Sequence, residues 1–248
     1  LISIRRILAG LTLSVFGLVV SLGIIELGFR LLPKQQSWSD RPSFYFRPES
    51  APDNRDYPYP VPKSPQTFRI AVVGDSFTFA PFMQFSNTFP KRLEAMLNLN
   101  DAQTKGEVIN YGYPAYSTTN EVPVVQQALD AGADLVILQI TLNDPELKPY
   151  QPEGIIQDAF AQPKVSPFLA KLLGHWHTLA FVVERLHNSQ THRAYQDYYF
   201  KLFNSPASWT TFKDAIHRIS LACKTQKRPL AAVIFPLFGT NLDDSYPF

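Results

Sequence analysis

Residues 68–76 read FRIAVVGDS. The apolar run Ile70–Val73 stops at Gly74-Asp75, and Ser76 follows. A short, unbroken apolar run closed by a turn pair reads as a strand buried on both faces. The pattern recurs in Glu107–Tyr111 (EVINY), Asp134–Ile140 (DLVILQI) and Pro229–Phe235 (PLAAVIF), three further buried strands. Between them, Thr88–Asn98 has helical spacing, with Phe89, Leu93, Met96 and Leu97 on one face, Thr88 placed to cap and Pro90 in the first turn. Thr119–Ala131 reads as a helix ending near Gly132, and residues 165–187 and 209–225 read as two more.

Strands alternating with helices imply parallel pairing. The expected fold is α/β: a three-layer α/β/α sandwich around a parallel, doubly wound, flavodoxin-like sheet. In such sheets the working groups collect outside the C-terminal ends of the strands. The helices of 165–187 are expected to form a cap beside that crevice.

In front of this domain, Ile7–Ile25 (ILAGLTLSVFGLVVSLGII) is a run of 19 residues without a charge. About 20 apolar residues span a bilayer as a helix. Arg5 and Arg6 precede the run, and the positive-inside rule keeps them cytoplasmic, so the chain after Glu26 is expected on the outer side. No small-x-small cleavage site follows, which favours an uncleaved anchor over a signal peptide. The sequence therefore divides into an anchor (1–30), a proline-rich linker (31–67) with no helical period, and an α/β domain (68–248).

Composition narrows the function. A 248-residue chain with 45% apolar residues can build a substantial core, and a formal charge of +2 with no basic run gives nucleic acid no electrostatic footprint. Cys223 is the only cysteine, so neither an internal disulfide nor a cysteine zinc site can form. The chain opens on Leu1 and closes on Phe248 after Asp-Asp-Ser-Tyr-Pro, and it is expected to be a piece of a longer reading frame.

Three strand ends carry the candidate chemistry. The first is followed by Gly74-Asp75-Ser76, the second by Tyr113-Pro114 after Asn110-Tyr111-Gly112, the third by Thr141-Leu142-Asn143-Asp144. A serine on a tight turn, backbone N–H groups at Ser76 and Gly112, and the Asn143 amide are the parts acyl transfer needs: a nucleophile and preorganised donors for an oxyanion. Taken together, VVGDSFTFA, NYGYPAYS and LQITLND resemble the SGNH, or GDSL-type, hydrolases across residues 68 to about 240. The resemblance implies Ser76 as nucleophile and Gly112 and Asn143 as oxyanion donors. It also implies an ester of a small acyl group or an acylated carbohydrate as substrate, with no cofactor and no metal. The anchor and linker are similar to those of membrane-tethered bacterial members. One residue departs from the pattern: Thr141 stands where the family usually has glycine.

In that family the general base is the histidine of a late D-x-x-H. Asp214-Ala215-Ile216-His217 spells it, but at 100° per residue Trp209, Phe212, Ile216, Ile219 and Cys223 share one helical face and Asp214 and His217 the other, so the pair reads as solvated surface. His175, His177, His187 and His192 show no metal-ligand spacing. The base is expected beyond Phe248. Three readings stay open: an extracytoplasmic esterase or deacetylase, a polysaccharide O-acetyltransferase of the same fold, and a tethered binding module without catalysis.

Overall fold

The computed structural model of the chain describes residues 4–31, 56–81, 83–99, 103–147 and 165–236. They form α1 (Ile4–Leu31), β1 (Thr67–Gly74), α2 (Ser76–Phe79), α3 (Phe89–Leu97), β2 (Lys105–Gly112), α4 (Thr118–Asp130), β3 (Leu135–Ile140), α5 (Pro167–His175), α6 (His177–Asn204), α7 (Pro206–Thr225) and β4 (Leu230–Ile234). Two compact units result. One takes in α1, α5 and α6 as far as Tyr195; the other holds the sheet with α2, α3, α4, α7 and the end of α6.

In the sheet unit four parallel strands run in the order β2-β1-β3-β4. The alternation of side chains along each strand builds two cores. Ala71 and Val73, Ile109 and Tyr111, and Val136 and Leu138 point to one face, where Val124, Val125, Ala128 and Leu129 of α4 and Ile219 and Cys223 of α7 close over them. Ile70, Val72 and Val108 point to the other, against Phe89 and Leu93 of α3. Helices on both faces of a parallel sheet make the three-layer α/β/α sandwich. From β1 the chain goes to β2 on one side and to β3 on the other, so the end of β1 lies at the topological switch point.

One expectation needs correction. β4 is apolar but not buried: among the described residues it lies at the edge of the sheet, and Ala231–Ile234 are exposed, Ile234 to 74%. Its composition is that of an inner strand, and composition alone does not reveal which strand ends a sheet. The helices of 165–187 fall in the compact unit that holds α1. α5 ends at His175, Trp176 breaks the helix with an extended backbone, and α6 begins at His177. Both α5 and the start of α6 group with α1.

The last part of the proline-rich stretch is built into the sheet unit. Asp56 is fully buried, accepting from Asn110 N–H at 2.8 Å and from Lys91 Nζ at 3.2 Å on each oxygen. Lys91 also donates to Val108 O, Tyr59 Oη and Glu94 Oε2. Arg69, fully buried, donates to Glu107 through two nitrogens and reaches the carbonyls of Pro60 and Ala131. A buried cation is tolerated when donors and acceptors match in this way.

Candidate functional site

Ser76 is the first residue of α2, a single turn set on the end of β1. Asp75 caps it: one carboxylate oxygen accepts from Phe77 N–H at 2.9 Å, and Ala80 closes the turn in the left-handed region with its N–H on Ser76 O. Ser76 is half-buried, and among the described residues its hydroxyl has no hydrogen-bond partner.

Glycine is required at Gly74, just below. A Cβ there would lie 2.4 Å from both Gln139 Oε1 and Thr78 Oγ1. Those atoms are where they are because Gln139 Oε1 accepts from Asp75 N–H (3.2 Å) and from the Thr78 hydroxyl (2.8 Å), so a polar side chain of β3 grips the turn that carries Ser76. A glutamine inside the apolar run DLVILQI was the sequence signal for this role.

Gly112 is buried, and its N–H donates to Asn110 Oδ1 at 2.9 Å. Its lack of a side chain serves packing: a Cβ would come within 2.3 Å of Phe79 N, so the end of β2 lies directly against the backbone of α2. Asn110 fastens the same contact, donating to Thr78 O at 2.9 Å. Gly112 therefore packs directly on the Ser76 turn, and its N–H is engaged by Asn110 Oδ1 where an oxyanion donor was expected. Along the following turn, Tyr113 N–H goes to Gly74 O, Tyr116 N–H to Tyr113 O and Ser117 N–H to the Asn120 side chain. Among the described residues the N–H of Ala115 has no acceptor. Ala115 is exposed and holds φ at +65°, the left-handed region that favours glycine.

Asn143 is half-buried at the end of β3. Its Nδ2 donates to Tyr116 O at 3.1 Å, which sets it beside the Ala115 turn. Its Oδ1 accepts from the hydroxyl of Thr141. Thr141 lies outside the positive-φ region, so glycine is not needed here for backbone reasons. Its hydroxyl also lies 2.8 Å from Asp75 Oδ2. One threonine thus joins the cap of the Ser76 turn to the Asn143 amide.

Below this lies a group of buried carboxyls. Asp144 accepts from Thr118 Oγ1 and from Thr141 N–H, and burial pushes its carboxyl up to about 7, with nearby Asp75 adding to the rise. Glu121 of α4 is fully buried with neither oxygen partnered among the described residues, and burial with the charges of Asp144 and Asp75 raises it well above the carboxylate range. Glu146, which accepts from Tyr198 Oη at 2.6 Å, is pushed by burial to about 7. Asp75 is raised by burial, partly offset by the Phe77 N–H and the Thr141 hydroxyl. No group of three or more His, Cys, Asp or Glu among the described residues is arranged to hold a metal.

Asp214 and His217 lie exposed on α7, opposite buried Phe212, Ala215, Ile219 and Cys223. None of His175, His177, His187 or His217 hydrogen-bonds to Ser76.

No family model matches the chain, and no curated protein matches it. Among solved structures it is similar to AlinE4, an SGNH-hydrolase family esterase, at 15% identity over 68% of this chain and 77% of that one, with a TM-score of 0.29. A point mutant of AlinE4 gives 14% identity, the same coverage and a TM-score of 0.28.

Proposed function

We propose that the chain is a serine esterase of the SGNH type, tethered to a membrane by α1 with its α/β domain on the outer side. The observation that carries the reading is the Ser76 hydroxyl, unpartnered among the described residues, at the sheet's switch point, with its turn tied through Asp75 and Thr141 to the Asn143 amide. α1 is long and apolar enough to cross a membrane, with residues 6–31 forming the candidate span. Arg5 and Arg6 before it support the outward orientation.

In this reading Ser76 Oγ attacks the carbonyl carbon of an acyl ester. The proton goes to a general base other than His175, His177, His187 or His217, none of which hydrogen-bonds to Ser76. Charge on the carbonyl oxygen is held by Ser76 N–H, by the Asn143 amide and by Ala115 N–H, which takes the place expected of Gly112. Each such donor is worth about 2.7–4 kcal/mol in acyl-transfer sites. The alcohol leaves with the proton, and water releases the acyl group from Ser76. An acylated surface carbohydrate is the substrate class that an outward-facing, tethered domain would meet.

The test is labelling by a fluorophosphonate, which captures an activated serine. The expected result is a single modified site that disappears in Ser76→Ala. Labelling of the Ala variant at the same rate would overturn the assignment.

A further inference from the structure

We infer that the corner between α5 and α6 is a membrane-contacting foot whose partner is the lipid headgroup region next to α1. The inference rests on the reading of α1 as a membrane span and is independent of the chemistry at Ser76. Glu26, just past the uncharged run, holds the start of α6 with both oxygens. Oε1 accepts from His177 N–H at 3.0 Å and lies 3.1 Å from His177 Nδ1; Oε2 accepts from Thr178 N–H and Thr178 Oγ1, each at 2.8 Å. Arg30, one turn on, donates to Glu26 Oε1 at 3.0 Å and to the carbonyl of His175 at 3.0 Å. A carboxylate thus sits on the first N–H groups of α6 and a guanidinium on a last carbonyl of α5, the signs that helix ends favour. The rings of Phe29 and Phe181 pack beside this clamp, tilted, with centroids 4.9 Å apart.

The depth follows from length. At 1.5 Å per residue the 19 uncharged residues 7–25 cover about 28 Å, close to the hydrocarbon thickness of roughly 30 Å. Glu26 then marks the edge of the hydrocarbon, and groups hydrogen-bonded to it share its level. Beside those groups Trp176 is 54% exposed and Phe181 50%, and further along the two helices Phe168 is 75% and Val182 46% exposed. Lys171, on the same short helix as Phe168, is exposed as well. Exposed aromatic and apolar side chains with a basic neighbour, held at the end of a spanning helix, match the interfacial belt of membrane proteins. Lipid is the occupant because the helix to which the corner is clamped would itself be surrounded by lipid.

The experiment uses the whole chain in phosphatidylcholine vesicles, with Trp38→Phe and Trp209→Phe leaving Trp176 as the only indole. Half of the vesicles carry lipid brominated near the headgroup end of its acyl chains. Flotation with the vesicles reports α1; quenching of Trp176 reports the foot. The expected result is flotation with a loss of roughly half of the Trp176 emission, as for an indole held at headgroup level. Flotation with unquenched Trp176 overturns the foot while leaving the span intact. Failure to float overturns the span and the foot with it, and fluorophosphonate labelling of Ser76 in the same sample shows whether the enzyme reading stands apart from both. Adding Glu26→Ala and Arg30→Ala is expected to remove most of the quenching without loss of flotation; full quenching in that variant overturns the clamp as its cause.

Discussion

The hydroxyl of Thr141 lies 2.8 Å from Asp75 Oδ2. The same hydroxyl oxygen lies against Asn143 Oδ1, so one hydroxyl bridges the cap of the Ser76 turn and the amide proposed to hold the oxyanion. Thr141→Val keeps the shape and removes the link. Turnover of an activated acetyl ester by a catalytically competent form is expected to fall by roughly 10–100-fold, in kcat rather than KM, because a misdirected donor is lost mainly in the transition state. Thr141→Ser, which restores the hydroxyl, should recover most of the rate. Equal activity of the Val and Ser variants would show that the hydroxyl does not orient Asn143.

Gly112 separates packing from catalysis. Because a Cβ there meets the backbone of Phe79, neither partner can rotate away. Gly112→Ala is expected to destabilise the domain by about 3 kcal/mol or more, at the upper end of overpacking costs. Gly74→Ala meets side-chain ends, Gln139 Oε1 and Thr78 Oγ1, and should be milder in folding while still loosening the Ser76 turn. Thermal midpoints of the two variants decide this: a Gly112→Ala protein as stable as the parent would mean that α2 does not lie where described.

Ala115 holds a backbone conformation that costs an L-residue about 1–2 kcal/mol. Ala115→Gly should relieve part of this and raise the thermal midpoint by about 2–4 °C per kcal/mol recovered. The fluorophosphonate reaction at Ser76 should persist, since the N–H is unchanged. A lower midpoint in the glycine variant would show that the turn is not held in the left-handed region.

The buried carboxyls predict an inverted pH dependence of stability. A carboxyl whose pKa is raised on folding keeps its proton in the folded chain after the unfolded chain has released it. Stability is therefore lost as pH rises, starting near the ordinary carboxylate value of about 4. For Asp144 and Glu146 the loss runs up to about 7 and then levels off. The midpoint at pH 5 should exceed that at pH 8. Glu121→Gln, which removes the cost of holding a proton on the buried Glu121 carboxyl after the unfolded chain would release it, should raise the midpoint at pH 8 by several degrees and flatten the slope. An unchanged slope in that variant would place the pH response elsewhere.

Much of the architecture was legible from residue pattern. The four strands are marked by short apolar runs, and α3 by the Phe89 and Leu93 face. The solvated face of α7, bearing Asp214 and His217, followed from helical geometry alone. The length of α6 was not legible: polar and aromatic residues between His187 and Asn204 fall on all sides, so no 3.6-residue period stands out. The engagement of Gly112 N–H was invisible for a different reason. It depends on the Asn110 side chain folding back on its own strand two residues later, a choice of rotamer that spacing does not encode. Likewise, Thr141 looked like a defect in a glycine position until its neighbours in space, Asp75 and Asn143, were known.

Asp56 has a mechanical consequence. Among the described residues, the part of the sheet unit that precedes β1 is first anchored at this carboxylate, which Lys91 and Asn110 hold from two different elements. Force is diverted there into α3 and β2, before Arg69 and the start of β1. β1, which leads to Ser76, is thereby shielded from a load on the chain ahead of it, as a cable is by a cleat ahead of its terminal.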